Sequence, residues 1–157
     1  MYAPIHSRSE KQTLELGRLL GSLLEGGDAV GLRGDLGSGK TCFVRGLARG
    51  LEVPHEVPVT SPSFTLVNQY PGRLELRHAD FYRVESYTRL ADAGFDDLLD
   101  ARGVLVVEWP ERFDAALPDD RLEIRIEWVS ERERRLSLLP RGLRARELAG
   151  RFTAQWP

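Results

Sequence analysis

Residues 34–41 read Gly34-Asp35-Leu36-Gly37-Ser38-Gly39-Lys40-Thr41, a glycine followed after four intervening residues by Gly-Lys-Thr. This spacing has a specific chemistry. The glycines let the backbone curl until several N–H groups point into one concavity. Those N–H groups and the dipole of a following helix cradle phosphates, the lysine reaches the terminal phosphates, and the threonine hydroxyl can bind Mg²⁺. The motif works only between a strand and a helix. Residues 29–33, Ala-Val-Gly-Leu-Arg, read as the strand, and residues 40–48 read as the helix. Lys11 and Lys40 are the only lysines among 22 basic residues, the others being Arg. In so Arg-biased a chain, Lys at position 40 is informative. A compact ammonium on a thin stem fits a loop wrapped round phosphates, and a planar guanidinium does not.

Acids at strand ends supply the second half of such a site. Residues 103–107 form an unbroken apolar run that leads into Glu108, then Trp109-Pro110. That pattern suits a central strand covered on both faces. Glu108 at its carboxyl end would face a metal ion beside Thr41, against the plainer reading of a solvated acid. Asp80 ends a strand that carries His78, and could hold a metal-bound water or orient an attacking one; otherwise it caps a turn. Residues 60–65, Thr-Ser-Pro-Ser-Phe-Thr, offer hydroxyls where phosphate hydrolases place a γ-phosphate-sensing switch, or else make a simple Ser/Pro turn. Trp109 could stack near the site or fill the core rim. His78, with no Cys or His cluster near it, reads as structural. Cys42 opens the helix after the loop and reads as a small packing residue, since nothing pairs with it as a base.

The remaining elements must hold these residues in place. Ser9 is a candidate N-cap for a helix whose Leu16, Leu19, Leu20, Leu23 and Leu24 recur at helical spacing until Gly26-Gly27. Gly50 would end the helix after the loop. Residues 52–63, rich in Pro, Ser and Thr, read as an exposed loop. Residues 64–70 and 73–79 read as a hairpin about Pro71-Gly72. Residues 87–93 and 95–101 look like short helical pieces split by Gly94. Leu122, Ile124, Ile126 and Trp128 alternate as a half-buried strand, and residues 135–139 would pair with it. The fold class is therefore α/β: one phosphate-loop domain over residues 1–140, with a mostly parallel central sheet flanked by helices and an antiparallel extension. Residues 141–157 read as an Arg-rich tail, a short surface helix or a frayed end.

Composition bounds the alternatives. With 157 residues the chain can bury a core without disulfides, and 41% hydrophobic with 29% charged residues are ordinary globular values. A net charge of −2 argues against a dedicated nucleic-acid surface. One cysteine, a charged N-terminal segment without a signal-like apolar core, and no run near the ~20 apolar residues of a membrane span suggest a cytoplasmic protein.

Four motifs in order resemble the TsaE family, also called YjeE, the small bacterial ATPase of tRNA threonylcarbamoyladenosine synthesis. They are residues 34–41, then Ser61-Pro62-Ser63-Phe64-Thr65-Leu66-Val67, then His78-Ala79-Asp80-Phe81-Tyr82-Arg83, then Val107-Glu108-Trp109-Pro110. Ser38 departs from the family's usual Ala, and Cys42 from its usual Thr or Ser. The resemblance implies ATP as nucleotide, held by residues 35–42 (Asp35, Leu36, Gly37, Ser38, Gly39, Lys40, Thr41 and Cys42). It implies Mg²⁺ at Thr41 and Glu108, and Lys40, Asp80 and Glu108 as the catalytic set. Glu10 and Arg134 would lie near the adenine. The implied partners are TsaD and TsaB, with tRNA reached only through them. Two other readings stay open from the residues: a small-molecule kinase using Arg83, Arg89 or Arg102 as lid, and a nucleotide sensor without turnover. A GTPase is disfavoured, because two lysines leave no Asn-Lys-x-Asp motif.

Overall fold

The computed structural model describes residues 2–156. Seven strands form one sheet: β1 (Ile5–Ser7), β2 (Ala29–Arg33), β3 (Val67–Tyr70), β4 (Glu75–Asp80), β5 (Gly103–Glu108), β6 (Arg121–Trp128) and β7 (Arg134–Arg141). Their order across the sheet is β1-β7-β6-β2-β5-β4-β3. The four inner strands β6, β2, β5 and β4 run parallel. Antiparallel pairing is confined to β3 at one edge and to β7 and β1 at the other. The expected mostly parallel sheet with an antiparallel extension is thus present, with antiparallel strands on both flanks. The three-residue β1 was not expected, being too short to show a period.

The helices are α1 (Glu10–Leu23), α2 (Lys40–Gly50), α3 (Tyr87–Asp92) and α4 (Leu143–Gln155). α1 starts where expected: Ser9 accepts from the Gln12 N–H, and Gln12 reaches back to the Arg8 N–H, in the manner of a capping box. One face of the sheet packs Leu16 and Leu20 of α1, Phe43 and Leu47 of α2, and Leu148 and Phe152 of α4 against Val30, Val106, Leu122, Ile124 and Ile126. The opposite face carries a smaller core of Ala79, Phe81, Leu90, Phe95, Leu105 and Val107, roofed by α3 and two short 3-10 segments, Phe95–Leu98 and Pro110–Ala116. β5 is buried along its whole length, as its apolar run requires.

The C-terminal segment corrects the expectation of a surface helix or frayed end. Asp120 accepts hydrogen bonds from the Arg144 and Ala145 N–H groups, capping α4 from the loop before β6. Arg144 then forms a bidentate pair with Asp28 at 2.9 and 2.8 Å. Ala145, Leu148, Ala149 and Phe152 are buried, so α4 belongs to the core. Its apolar residues are sparse among arginines, which hid the stripe. The 52–63 segment is a largely exposed loop, as expected, and it is tied down: Arg45 Nε donates to the Val59 carbonyl at 3.1 Å and Thr60 N to the Tyr70 hydroxyl at 3.3 Å. No helix among the described residues is long and apolar enough to cross a membrane.

α1 and α2 approach until backbone meets backbone. A Cβ at Gly17 would lie 2.2 Å from the Phe43 carbonyl oxygen, at Gly21 2.2 Å from that of Leu47, at Gly46 2.1 Å from that of Leu14, and at Gly50 2.2 Å from that of Arg18. The glycines fall four apart on each helix, so each pair lies on one face. Gly46→Ala would push rigid backbone apart, and overpacking of this kind costs about 1–3 kcal/mol. Thermal unfolding should show Tm lowered by several degrees; a Tm equal to that of the unsubstituted protein would contradict the close helix crossing.

Candidate nucleotide site

β2 delivers the glycine loop to the N-terminus of α2. Gly37 and Gly39 have φ of 79° and 109°, a region that side chains rarely tolerate. Gly39 is the N-cap of α2 and supplies no side-chain cap, so the first N–H groups of the helix remain available to an anion. Lys40 is almost entirely buried. Its ammonium donates to the carbonyls of Gly34 and, at 2.9 Å, Asp35, and lies 4.7 Å from the Trp109 ring centroid. Burial lowers its pKa, while the negative charges of Glu108 and Asp80 oppose that shift. A bound phosphate could replace those carbonyl contacts with a stronger, charge-assisted one.

The acids arrive by strand register. Asp80 lies directly opposite Glu108 across the parallel β4–β5 pair, and Leu32 of β2 lies on the other side of Glu108. Asp80 accepts from Ser61 Oγ at 2.9 Å, Ser63 Oγ at 3.5 Å and the Tyr82 N–H at 2.9 Å. It therefore ties the hydroxyl loop to the strand end. Glu108 Oε2 lies 2.6 Å from His78 Nε2. A cavity of about 370 Å³ is lined by Lys40, Thr41, Ser61, Ser63, Asp80, Glu108 and Trp109, so one space joins the expected catalytic set and the expected metal ligands. Among the described residues no cluster of three or more His, Cys, Asp or Glu side chains could hold a metal ion. One hydroxyl and two carboxylates do suit Mg²⁺, a hard cation that takes its other ligands from phosphate and water.

Glu10 and Arg134 also come together, although they lie on different elements. With Gly39 and Cys42 they line a pocket of about 130 Å³ between the start of α1 and the β6–β7 turn. Arg134 Nε donates to the Ser38 carbonyl at 2.7 Å, a clasp on the phosphate loop that sequence reasoning did not foresee. Cys42 Sγ lies 3.7 Å from the Glu10 carbonyl, and burial raises the thiol pKa, so it behaves as a packing residue. Asp35 and Leu36 form the exposed crest of the loop.

Two further residues were undervalued. Trp109 adopts φ 60° and ψ 48°, a left-handed conformation uncommon for an aromatic residue. Its ring packs on Tyr82 with centroids 4.9 Å apart and covers Lys40, so it belongs to the site rather than to the rim alone. His78, read as structural, contacts Glu108 directly. Phe64 stands 85% exposed in the hydroxyl loop, with the Arg83 guanidinium 4.8 Å from its ring centroid. Of the kinase-lid candidates, Arg102 pairs with Asp100, and none of Arg83, Arg89 and Arg102 lines the cavity that holds Lys40.

Comparison with known proteins agrees with this geometry. The family model described as Threonylcarbamoyl adenosine biosynthesis protein TsaE matches residues 7–136. The tRNA threonylcarbamoyladenosine biosynthesis protein TsaE of Treponema pallidum is 42% identical over 132 residues, covering 84% of this chain and 96% of that protein. Its Bacillus subtilis counterpart is 36% identical over 135 residues, covering 85% of this chain and 83% of that protein. The crystal structure of Bacillus subtilis YdiB superposes with a TM-score of 0.79 at 30% identity, covering 97% of this chain and 94% of that one. With the family model spanning residues 7–136, and with sheet and loop arranged as above, this chain belongs to the TsaE family.

Proposed function

We propose that this protein acts in tRNA threonylcarbamoyladenosine biosynthesis as a cytoplasmic Mg²⁺-dependent ATPase, whose nucleotide state governs its engagement with TsaD and TsaB. The biosynthetic role follows from the names its relatives carry. One observation supports the nucleotide chemistry: Lys40, Thr41, Asp80 and Glu108 open onto one cavity at the uncapped N-terminus of α2.

In this reading the loop N–H groups and Lys40 would hold the phosphates and stabilise charge that develops during in-line attack by water. Thr41 and Glu108 would hold Mg²⁺, which supplies charge neutralisation at the phosphates. Asp80 would orient water and, through Ser61 and Ser63, link the state of the site to the hydroxyl loop. That loop carries exposed Phe64, so a change in its setting would be legible to a docked protein. The chain's net charge of −2 makes direct tRNA capture a poor output for the cycle, since phosphate contacts need concentrated basic residues. The test is to titrate TsaD–TsaB into an ATPase assay and compare complex formation with an ATP analogue and with ADP. Turnover and affinity should depend on partner and nucleotide; independence from both would contradict the coupling.

Two substitutions probe the site itself. Lys40→Ala should reduce turnover by about 100-fold or more, the scale of one lost transition-state contact, and weaken ATP binding, with far less effect on Tm. A folded Lys40→Ala protein with normal affinity and turnover would contradict the phosphate site. Arg134→Ala removes the clasp on Ser38 and a wall of the Glu10 pocket. Isothermal titration should show nucleotide affinity reduced by about tenfold, as for a lost charge-assisted hydrogen bond. Unchanged affinity would place Arg134 outside the binding site.

A further inference from the structure

We propose that His78 is a positioning residue for Glu108: it holds one carboxylate oxygen so that the other faces the phosphate-loop cavity and the acid stays apart from Lys40. The inference rests on the nucleotide-site reading above and adds to it a residue outside the cavity wall.

The His78 ring is completely buried. Alternation along β4 places it on the same face as Leu76 and Asp80, beside Val106 of β5 and beneath the helices. Surroundings so apolar would suit a leucine, yet the residue is a histidine with one polar partner. Nε2 lies 2.6 Å from Glu108 Oε2, whereas Nδ1 has no hydrogen-bond partner among the described residues. An orphaned buried nitrogen is a cost to folding, and only the contact with Glu108 offsets it. With Glu108 as a carboxylate, Nε2 carries the proton and donates.

The two acids have separate holders. Asp80 is fixed by Ser61, Ser63 and the Tyr82 N–H. Among the described residues the Glu108 side chain has a hydrogen bond only to His78, through Oε2, and Glu108 lines the cavity. Lys40 lines the same cavity and makes no ion pair with either acid among the described residues; it donates to loop carbonyls instead. Released from His78, a strand-end glutamate could swing to this ammonium. Acid and lysine would then neutralise each other, and both the metal ligand and the phosphate ligand would be lost. A buried donor behind a ligating carboxylate is the usual means of fixing its direction, and removing such a partner costs about 10–100-fold in metal affinity.

The test measures Mn²⁺ uptake by electron paramagnetic resonance in the presence of a non-hydrolysable ATP analogue, with Tm followed alongside. His78→Leu should stay folded and bind Mn²⁺ about 10–100-fold more weakly. His78→Gln, which can still donate to Glu108, should recover most of that loss. A His78→Leu protein that binds Mn²⁺ within twofold of the unsubstituted chain, or a His78→Gln protein no better than His78→Leu, would overturn the proposal while leaving the nucleotide site standing. Failure of the unsubstituted protein to take up Mn²⁺ with the analogue would overturn the nucleotide site as well. If leucine prevents folding, ¹⁵N-histidine spectra of the unsubstituted chain decide. The His78 ring should be protonated at Nε2, and its signals should move when Mg²⁺ and analogue are added together. A ring insensitive to them would overturn the proposal.

Discussion

Everything at the site depends on the parallel register of β2, β5 and β4. Parallel strands end at the same edge of the sheet, so Leu32, Glu108 and Asp80 finish side by side. The loop that follows β2 therefore faces the acids that finish the other two strands. β2 and β5 are neighbours, and the chain leaves β2 toward β3 on one side of the sheet but leaves β5 toward β6 on the other. A crevice at the carboxyl ends of the strands is expected at that point. The antiparallel strands have a different task. β6 and β7 carry Arg134 to the outer side of the phosphate loop, where it holds the Ser38 carbonyl.

The site is built at a cost to the fold. Lys40 is buried, and burial disfavours its charged form. Trp109 is held in a left-handed conformation, and His78 keeps a nitrogen without a partner among the described residues. Departures of this kind cluster where function overrides stability. The surrounding scaffold compensates by rigidity. Backbone contact between α1 and α2 fixes the helix whose N-terminal N–H groups would bind phosphate in the proposed function. The same contact sets the position of Glu10 at the start of α1 relative to Cys42 on α2.

Much of this was legible in the sequence, for physical reasons that can be named. The strand before the loop, the helix after it and the buried strand ending in Glu108 each announce themselves by local pattern. The Ser9 cap and the hairpin about Pro71-Gly72 depend on turn and cap chemistry, which is also local. What stayed hidden depends on contacts between distant residues. β1 exists because Ile5, His6 and Ser7 pair with Leu136, Arg135 and Arg134. α4 is core because Asp120 and Arg144 anchor it, and neither bond leaves a mark on hydrophobic period. His78 and Trp109 were ambiguous as single residues. Their meaning comes from the neighbour that register or a left-handed turn supplies, Glu108 in one case and Lys40 in the other.

The central claim is that strand register converges a phosphate loop and two acids into one hydrolytic site. Glu108→Ala tests it most directly, with ATP affinity and kcat measured across Mg²⁺ concentrations. The account predicts affinity within about tenfold of the unsubstituted protein, turnover lower by about 100-fold or more, and an altered Mg²⁺ dependence. Unchanged turnover with an unchanged Mg²⁺ dependence would place Glu108 outside the chemistry and contradict the account.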